Sequence, residues 1–235
     1  MSFMVTFSML QQDRYAEGTF ISQKMSRIEY ENGSFYEGET KQGKPHGKGL
    51  FLNKNDKIYI GELLEGKRHG RGLYHEHKRY VYEGEFQNDH QIGKGILIYN
   101  KKNIYSGELR FEAPHGKGVF LYGNGDRYEG EFQEGRKHGK GTYTYWHGSQ
   151  YTGEFKNDLR NGTGILISQF GNRYEGAFAE DLRHGPGTLT FPDGTYLKTT
   201  FEKGLFHGPY QKFDQDGRLL EEGVFDKDRV VGGRW

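Results

Sequence analysis

The chain has 235 residues, of which 33% are hydrophobic, and its 37 glycines, 17 tyrosines and 17 phenylalanines stand out. This composition disfavours helices and favours short aromatic strands separated by turns. The 33 basic and 32 acidic residues nearly cancel and there is no cysteine, which excludes disulfides, thiol catalysis, thiolate metal sites and a strong overall attraction to nucleic acid.

The N-terminal residues 1–12 are predicted to form an extension or cap. Met1–Leu10 is mildly apolar, but it has no basic start and no small-residue cleavage site, so we expect no signal peptide. No stretch of the sequence approaches the roughly 18 apolar residues that would cross a bilayer. A degenerate first repeat, which contains Tyr15-Ala16-Glu17-Gly18, begins at residue 13.

The following segment repeats itself every 23 residues. A tyrosine with glycine two places later occurs at Tyr36, Tyr59, Tyr82, Tyr105, Tyr128, Tyr151 and Tyr174. A second column of glycines runs through Gly47, Gly70, Gly93, Gly116, Gly139, Gly162, Gly185 and Gly208. Such self-similarity is typical of arrays in which each unit contacts only its neighbours. We therefore assign residues 13–208 to one array with a degenerate unit at each end, and 209–235 to a variant repeat or cap.

Each unit is predicted to be a β-hairpin, because turn signals such as Asn32-Gly33 and Asp193-Gly194 recur at short intervals. Side chains alternate between the two faces of a strand. In the segment 128–132, tyrosine, glycine and phenylalanine therefore share one face, and two glutamates share the other. The sequence predicts one aromatic and one charged face for the array.

The segments 128–132 (YEGEF) and 137–141 (KHGKG) closely resemble the membrane occupation and recognition nexus (MORN) repeat. The resemblance implies an elongated, all-β, single-layer twisted antiparallel sheet to which each repeat adds one hairpin. Members of this family serve as assembly platforms in radial spoke heads of cilia, in cytoskeletal structures and at junctions between membranes. Where the family often has tryptophan after Gly-Glu, this chain has Leu63, Phe86, Leu109, Phe132, Phe155 or Phe178, and the first unit has only Thr40.

We predict no enzymatic activity, no cofactor and no metal site. Equivalent residues of successive hairpins lie two strands apart, roughly 9.5 Å, which is too far for shared ligation or for a catalytic carboxylate pair. A structural role at turns is expected for His46, His69, His115, His138, His184 and His207. A solvated face paired with lysines is expected for Glu39, Glu62, Glu85, Glu108, Glu131 and Glu154. Phosphate-loop lookalikes at Gly38 and Gly61 lack the hydroxyl residue that binds magnesium.

Binding of other proteins is the predicted function. A single-layer sheet lacks a covering layer, so we expect the aromatic-glycine face to hold a helix or an extended segment of a partner. The partner is expected to be another protein of a larger assembly, such as another MORN protein or a second copy of this chain. The candidate groove residues are Tyr82, Phe86, Tyr105, Tyr128, Phe132, Tyr151, Phe155, Tyr174 and Phe178.

A basic edge that binds membrane phospholipid or another anionic polymer is the alternative. Its candidate residues are Lys44, Lys67, Arg68, Arg136, Lys137, Arg160 and Arg183. Acidic residues such as Asp89 interrupt this edge, so membrane binding is the second of the two predicted functions. We expect no nucleic-acid partner. The resemblance to spoke-head and cytoskeletal members implies a protein of the cytoplasm and cytoskeleton, either in the axoneme of a cilium or flagellum or in a scaffold outside cilia.

Overall fold

The structure is a computed structural model that describes residues 25–100 and 102–234. In this part of the chain every regular element is a strand, and each strand pairs antiparallel with the next, from β1 to β19. The result is one open sheet with β1 and β19 at its edges. The prediction of an all-β single-layer array is confirmed.

The strands are β1 (Ser26–Glu29), β2 (Phe35–Lys41), β3 (Lys44–Asn53), β4 (Lys57–Leu64), β5 (Lys67–Glu76), β6 (Tyr80–Gln87), β7 (His90–Tyr99), β8 (Asn103–Arg110), β9 (Ala113–Leu121), β10 (Arg127–Gln133), β11 (Arg136–Thr144), β12 (Gln150–Lys156), β13 (Leu159–Ile167), β14 (Arg173–Ala179), β15 (Leu182–Thr190), β16 (Tyr196–Glu202), β17 (Leu205–Phe213), β18 (Leu219–Asp226) and β19 (Arg229–Arg234). The expected extension 1–12, its apolar Met1–Leu10 and the start of the first repeat lie outside the described residues. Within them, no helix is long and apolar enough to cross a membrane.

Two kinds of turn join the strands. Two-residue turns close nine hairpins, from Gln42-Gly43 to Lys227-Asp228, and both residues of every such turn have positive φ, between 47° and 88°. This is the backbone of a type I′ turn, whose twist matches that of the strands it connects. Longer loops connect one hairpin to the next: the first, residues 30–34, has five residues, the following three have three residues each, and those from residue 122 onward have five. All the two-residue turns therefore lie along one edge of the array and all the longer loops along the other.

The tyrosine column forms the core of the sheet. The seven tyrosines from Tyr36 to Tyr174 are at most 2% exposed. Each ring lies over a cross-strand glycine pair, such as Gly130 and Gly141, where any Cβ would overlap the ring. Each hydroxyl donates a hydrogen bond, 2.6–3.0 Å long, to the carbonyl three residues further on. We call the side of the sheet that carries these rings the aromatic face, and the side that carries Glu129, Glu131 and Lys140 the reverse face.

Phenylalanines interleave with the tyrosines on the aromatic face. Phe132 makes edge-to-face contacts with both Tyr105 and Tyr128, and Phe155 does the same with Tyr128 and Tyr151, at ring-centroid distances of 5.0–5.1 Å. Each such pair adds about 0.5–1.5 kcal/mol beyond the apolar area that it buries. Because each phenylalanine contacts the tyrosines of two repeats, these contacts stabilise neighbouring repeats against each other. Tyr36 remains fully buried although Thr40 replaces the aromatic residue of its unit.

We predict that substitution of Gly130 by alanine strongly destabilises the array. The new Cβ would lie 2.5 Å from both the Tyr128 hydroxyl and the Gly141 Cα, so the buried ring must leave its position. Overpacking of this kind costs about 1–3 kcal/mol. Gly232 is the matched control, since nothing lies within 4 Å of a Cβ built on it. Thermal unfolding of Gly130→Ala and Gly232→Ala tests the prediction, and equal midpoints would contradict it.

Stability should fall as the pH rises above about 10, the ordinary pKa of tyrosine. Burial raises the pKa of Tyr36, Tyr82 and Tyr151 to about 12 in the folded chain. Between these two values the unfolded chain loses protons that the folded chain keeps, so unfolding becomes more favourable. The contribution of these protonated tyrosines to the free energy of unfolding is complete below pH 10 and is lost toward pH 12. Unfolding midpoints measured with the ultraviolet absorbance of tyrosinate test this, and early titration of every tyrosine in the folded chain would contradict it.

Candidate functional site

The nine predicted groove residues form the interior of the aromatic face. All of them, from Tyr82 to Phe178, are at most 5% exposed. The sequence correctly placed these rings on one face, but it did not show that the tyrosines lie flat on glycine and that the phenylalanines cover them. The expectation that these nine side chains themselves contact a partner is therefore not supported by their burial, because their surfaces already contact one another.

A second row of aromatic rings lies beside this interior and stays half-buried. We call it the outer aromatic row: Tyr74, Tyr80, Tyr99, Phe120, Tyr122, Tyr143 and Tyr145. Neighbouring ring centroids are 4.4–6.4 Å apart along the whole row. The row follows the edge of the long loops. Sequence reasoning missed it because these aromatics occupy three different positions of the 23-residue unit, although alternation along each return strand from its last glycine, such as Gly141 before Tyr143, would have found most of them.

The predicted basic edge is divided between the two faces. Arg68, Arg160 and Arg183 lie on the aromatic face, with guanidinium carbons 4.5–5.7 Å from the centroids of tyrosine and phenylalanine rings. Lys44, Lys67 and Arg136 precede such positions in their strands and alternate to the reverse face, where they are exposed. The two sets of cations occupy adjacent positions of their strands, and a shift by one residue along a strand moves a side chain to the other face.

Lys137 lies among four rings of the aromatic face. Its Nζ is 4.6 Å from the centroid of the Tyr143 ring and 5.7–5.9 Å from those of Tyr122, Tyr128 and Phe155. Burial lowers the pKa of its ammonium group. Among the described residues no carboxylate lies within 4 Å of it. The Asp158 carboxylate binds the backbone amide of Lys137 and not its ammonium group. A cation held by rings without a direct ion pair is suited to meet a carboxylate of another molecule.

The glutamate column has a structural role at the bulge of each hairpin. Lysines do stand opposite several of its members across the strands, such as Lys140 opposite Glu154. In the described part of the chain, however, no lysine ammonium lies within 4 Å of any of the six carboxylates, so the predicted pairing is one of position and not of contact. The register shifts after Gly130, opposite Gly139 with its φ of 58°. The Glu131 carboxylate lies against Gly139 and accepts a hydrogen bond from the Lys140 amide at 3.3 Å. The glutamate thus satisfies an amide that the bulge removes from the ladder.

The histidine column lies at the same bulges, each residue just before the positive-φ glycine. The carbonyls of His46, His69 and His138 accept long hydrogen bonds of 3.4–3.5 Å from the buried tyrosine hydroxyls. Within the described residues no three histidine or carboxylate side chains come close enough to hold a metal ion. These histidines therefore help to hold the buried tyrosine hydroxyls through their backbone carbonyl groups.

The two-residue turns link each hairpin to the preceding one. The amide of Asp181 donates to the Arg160 carbonyl at 3.0 Å. Its carboxylate accepts hydrogen bonds from the Arg160 amide at 2.8 Å and from the guanidinium at 3.1 Å. Asp89 makes the same contacts with Arg68. These bonds fix the arginines that cover the aromatic rings.

The family model described as MORN repeat matches seven segments of this chain, which together make up more than half of it: residues 36–56, 59–75, 82–104, 105–127, 128–145, 151–173 and 174–196. These segments coincide with the seven regular units of the sequence.

Comparison with curated proteins found no match. Among solved structures, the SAS-4 (dCPAP) TCP domain in complex with a proline-rich motif of Ana2 (dSTIL) of Drosophila melanogaster is 12% identical, covers 79% of this chain and 95% of its own, and has a TM-score of 0.42. A streptogramin B lyase is 13% identical over 90% of this chain and 72% of its own, with a TM-score of 0.17. With scores this low, neither likeness carries an argument.

We predict that Asp181→Ala destabilises the array by about 1 kcal/mol, because the half-exposed carboxylate supplies one backbone hydrogen bond and one bond to a guanidinium. Glu180→Ala is the control, since Glu180 is the other positive-φ residue of the same turn. Urea unfolding of both variants measures the difference. If Glu180→Ala were equally destabilising, backbone strain in the turn rather than the contact with Arg160 would explain the loss.

Proposed function

The chain belongs to the MORN-repeat family, and on that basis we propose that it is a scaffold that holds a partner protein along its aromatic face. A MORN array is a structural repeat, of the kind that binds proteins or membranes. The single observation that carries the proposal is the outer aromatic row with Lys137 beside it. Seven half-buried rings in line offer apolar contact area with polar edges, which is typical of protein interfaces.

The proposed partner segment is a helix or extended chain with apolar side chains and at least one carboxylate. Apolar groups would complete the burial of rings such as Tyr99 and Tyr122. A carboxylate near Lys137 would neutralise a cation that is already partly desolvated, so the cost of removing it from water has in part been met. Such a segment can belong to another protein of the assembly, including another MORN protein.

For the cellular place, we propose the ciliary or flagellar axoneme, with the radial spoke head first and a cytoskeletal scaffold outside cilia as the alternative. This part rests on the resemblance of the repeats to those of spoke-head and cytoskeletal members. Membrane binding through a basic edge has less support, because Arg68, Arg160 and Arg183 are engaged with rings while Lys44, Lys67 and Arg136 are on the opposite face.

Affinity capture from ciliated cells, washed at high salt and analysed by mass spectrometry, tests the proposal. We expect axonemal proteins to be retained by the wild type and lost with Tyr99→Ser/Tyr122→Ser, because apolar contact survives salt whereas surface charge pairs do not. Tyr196→Ser is the matched control, since Tyr196 is a half-buried tyrosine of the reverse face.

A charge-reversed protein, Lys44→Glu/Lys67→Glu/Arg136→Glu, completes the experiment. If the charge-reversed protein retains the same partners, binding at the aromatic face is supported. Loss of the partners with charge reversal, together with their retention by the tyrosine double variant, would overturn the proposal in favour of a basic surface. Capture of cytoskeletal proteins without axonemal proteins would favour a cytoskeletal scaffold outside cilia.

A further inference from the structure

The reverse face differs in chemistry between the two halves of the array. On strands β3–β9 one cross-strand row near the long loops is almost wholly aliphatic, interrupted by His75. It contains Leu52, Ile58, Val81, Ile98, Ile104 and Leu121. In β10–β15 the corresponding row carries Arg127, Thr144, Gln150, Ile167, Arg173 and Thr190. The same position of the repeat is therefore apolar in one half and mostly polar in the other.

A parallel row two residues closer to the tight turns shows the same change. On β3–β9 it contains Leu50, Ile60, Leu73, Ile96 and Val119, with Glu83 and Ser106 between them. On β10–β15 the row contains Glu129, Thr142, Thr152, Ile165, Glu175 and Thr188. The two rows form a mainly aliphatic band across seven strands, with His75 on β5, Glu83 on β6 and Ser106 on β8 as its polar members.

This band faces away from the core. Ile96 and Leu121 are 42% and 41% exposed, and Ile60, Leu73 and Ile98 are half-buried by their neighbours in the sheet alone. Soluble proteins that act alone rarely leave a contiguous aliphatic surface of this size open to water. Nothing in the described part of the chain lies over the band, since every described strand belongs to the single layer.

A third row, beside the band, carries charges of alternating sign. Lys48 stands opposite Glu62, Arg71 opposite Glu85 and Lys94 opposite Glu108. The cations lie on odd-numbered strands and the glutamates on even-numbered ones. A twofold axis parallel to the strands and midway between two of them exchanges odd with even strands. The row is therefore complementary in charge to its own copy.

We propose that the reverse face of strands β2–β9 is an interface between two copies of this chain, packed face to face about such an axis. With the axis between β5 and β6, Glu62 of one copy faces Lys94 of the other and Ile60 faces Ile96. Each apolar row then meets itself. This is the isologous arrangement of a twofold dimer, with two sheets stacked as in a β-sandwich.

The size of this surface suits a stable dimer. Eight strands at about 4.8 Å each span roughly 38 Å, and three rows two residues apart span roughly 20 Å. The footprint is therefore close to the roughly 800 Å² per partner of a standard interface. The interface leaves the aromatic face free, so this inference does not rest on the proposed function, and a dimer would present two partner-binding faces outward.

Sedimentation velocity of the full chain over a wide range of concentrations tests the proposal. We expect the wild type to dimerise and Ile96→Lys to raise the dissociation constant at least about tenfold, because it places a charge at the centre of the band. Ile165→Lys, in the same row of the polar half, should dimerise as the wild type does. Circular dichroism and the unfolding midpoint confirm that each variant is folded.

A charge variant gives a second, independent readout. Lys94→Glu should weaken the dimer, since it faces Glu62 of the other copy, whereas Lys140→Glu in β11 should leave it unchanged. A wild type that stays monomeric at every concentration overturns the proposal. So does a dimer that survives both Ile96→Lys and Lys94→Glu. Flotation of a monomeric wild type with phosphatidylcholine vesicles, abolished by Ile96→Lys, would overturn it in favour of a lipid surface.

Discussion

Each tyrosine of the 23-residue column can lie flat on the sheet only because two glycines face it, one on its own strand and one on the next. The Tyr128 ring covers Gly130 and Gly141, and its hydroxyl donates to the Glu131 carbonyl at the bulge. A single contact thus sets the glycine positions, the bulge and the burial of a large side chain. A one-layer sheet has no second sheet to supply a core, so this flat arrangement replaces it.

The repetition of this arrangement explains why the aromatic face has two kinds of ring. The flat tyrosines and the bridging phenylalanines, such as Phe132, are already buried by one another and hold the array together. The half-buried rings are those displaced toward the long loops, including Tyr99 and Tyr122, with the cation of Lys137 beside them. In the function proposed above, stability and recognition therefore use neighbouring but distinct positions of the same unit.

The reverse face is free of the tyrosine constraint, and its residues can vary between repeats without disturbing the core. This freedom is visible at one position of the repeat, where Ile96 on β7 is replaced by Thr142 on β11 and by Thr188 on β15. The glutamates at the bulges are an exception, since Glu131 is bound to the Lys140 amide. A scaffold built this way can present one face to a partner and another to a second copy, with one core serving both.

The sequence by itself determined the repeat, the hairpins and the shared face of Tyr128 and Phe132, because these follow from spacing and from alternation along a strand, while the single layer was implied by the resemblance to the MORN repeat. Only the tertiary structure decided that those rings are covered, that the Arg68 guanidinium lies over rings of the aromatic face, and that Glu131 binds an amide and not a lysine. Burial depends on how a ring lies over the next strand. The hydrogen-bond partner of the Glu131 carboxylate depends on the bulge in the facing strand. Neither the ring packing nor the bulge can be read from a 23-residue spacing.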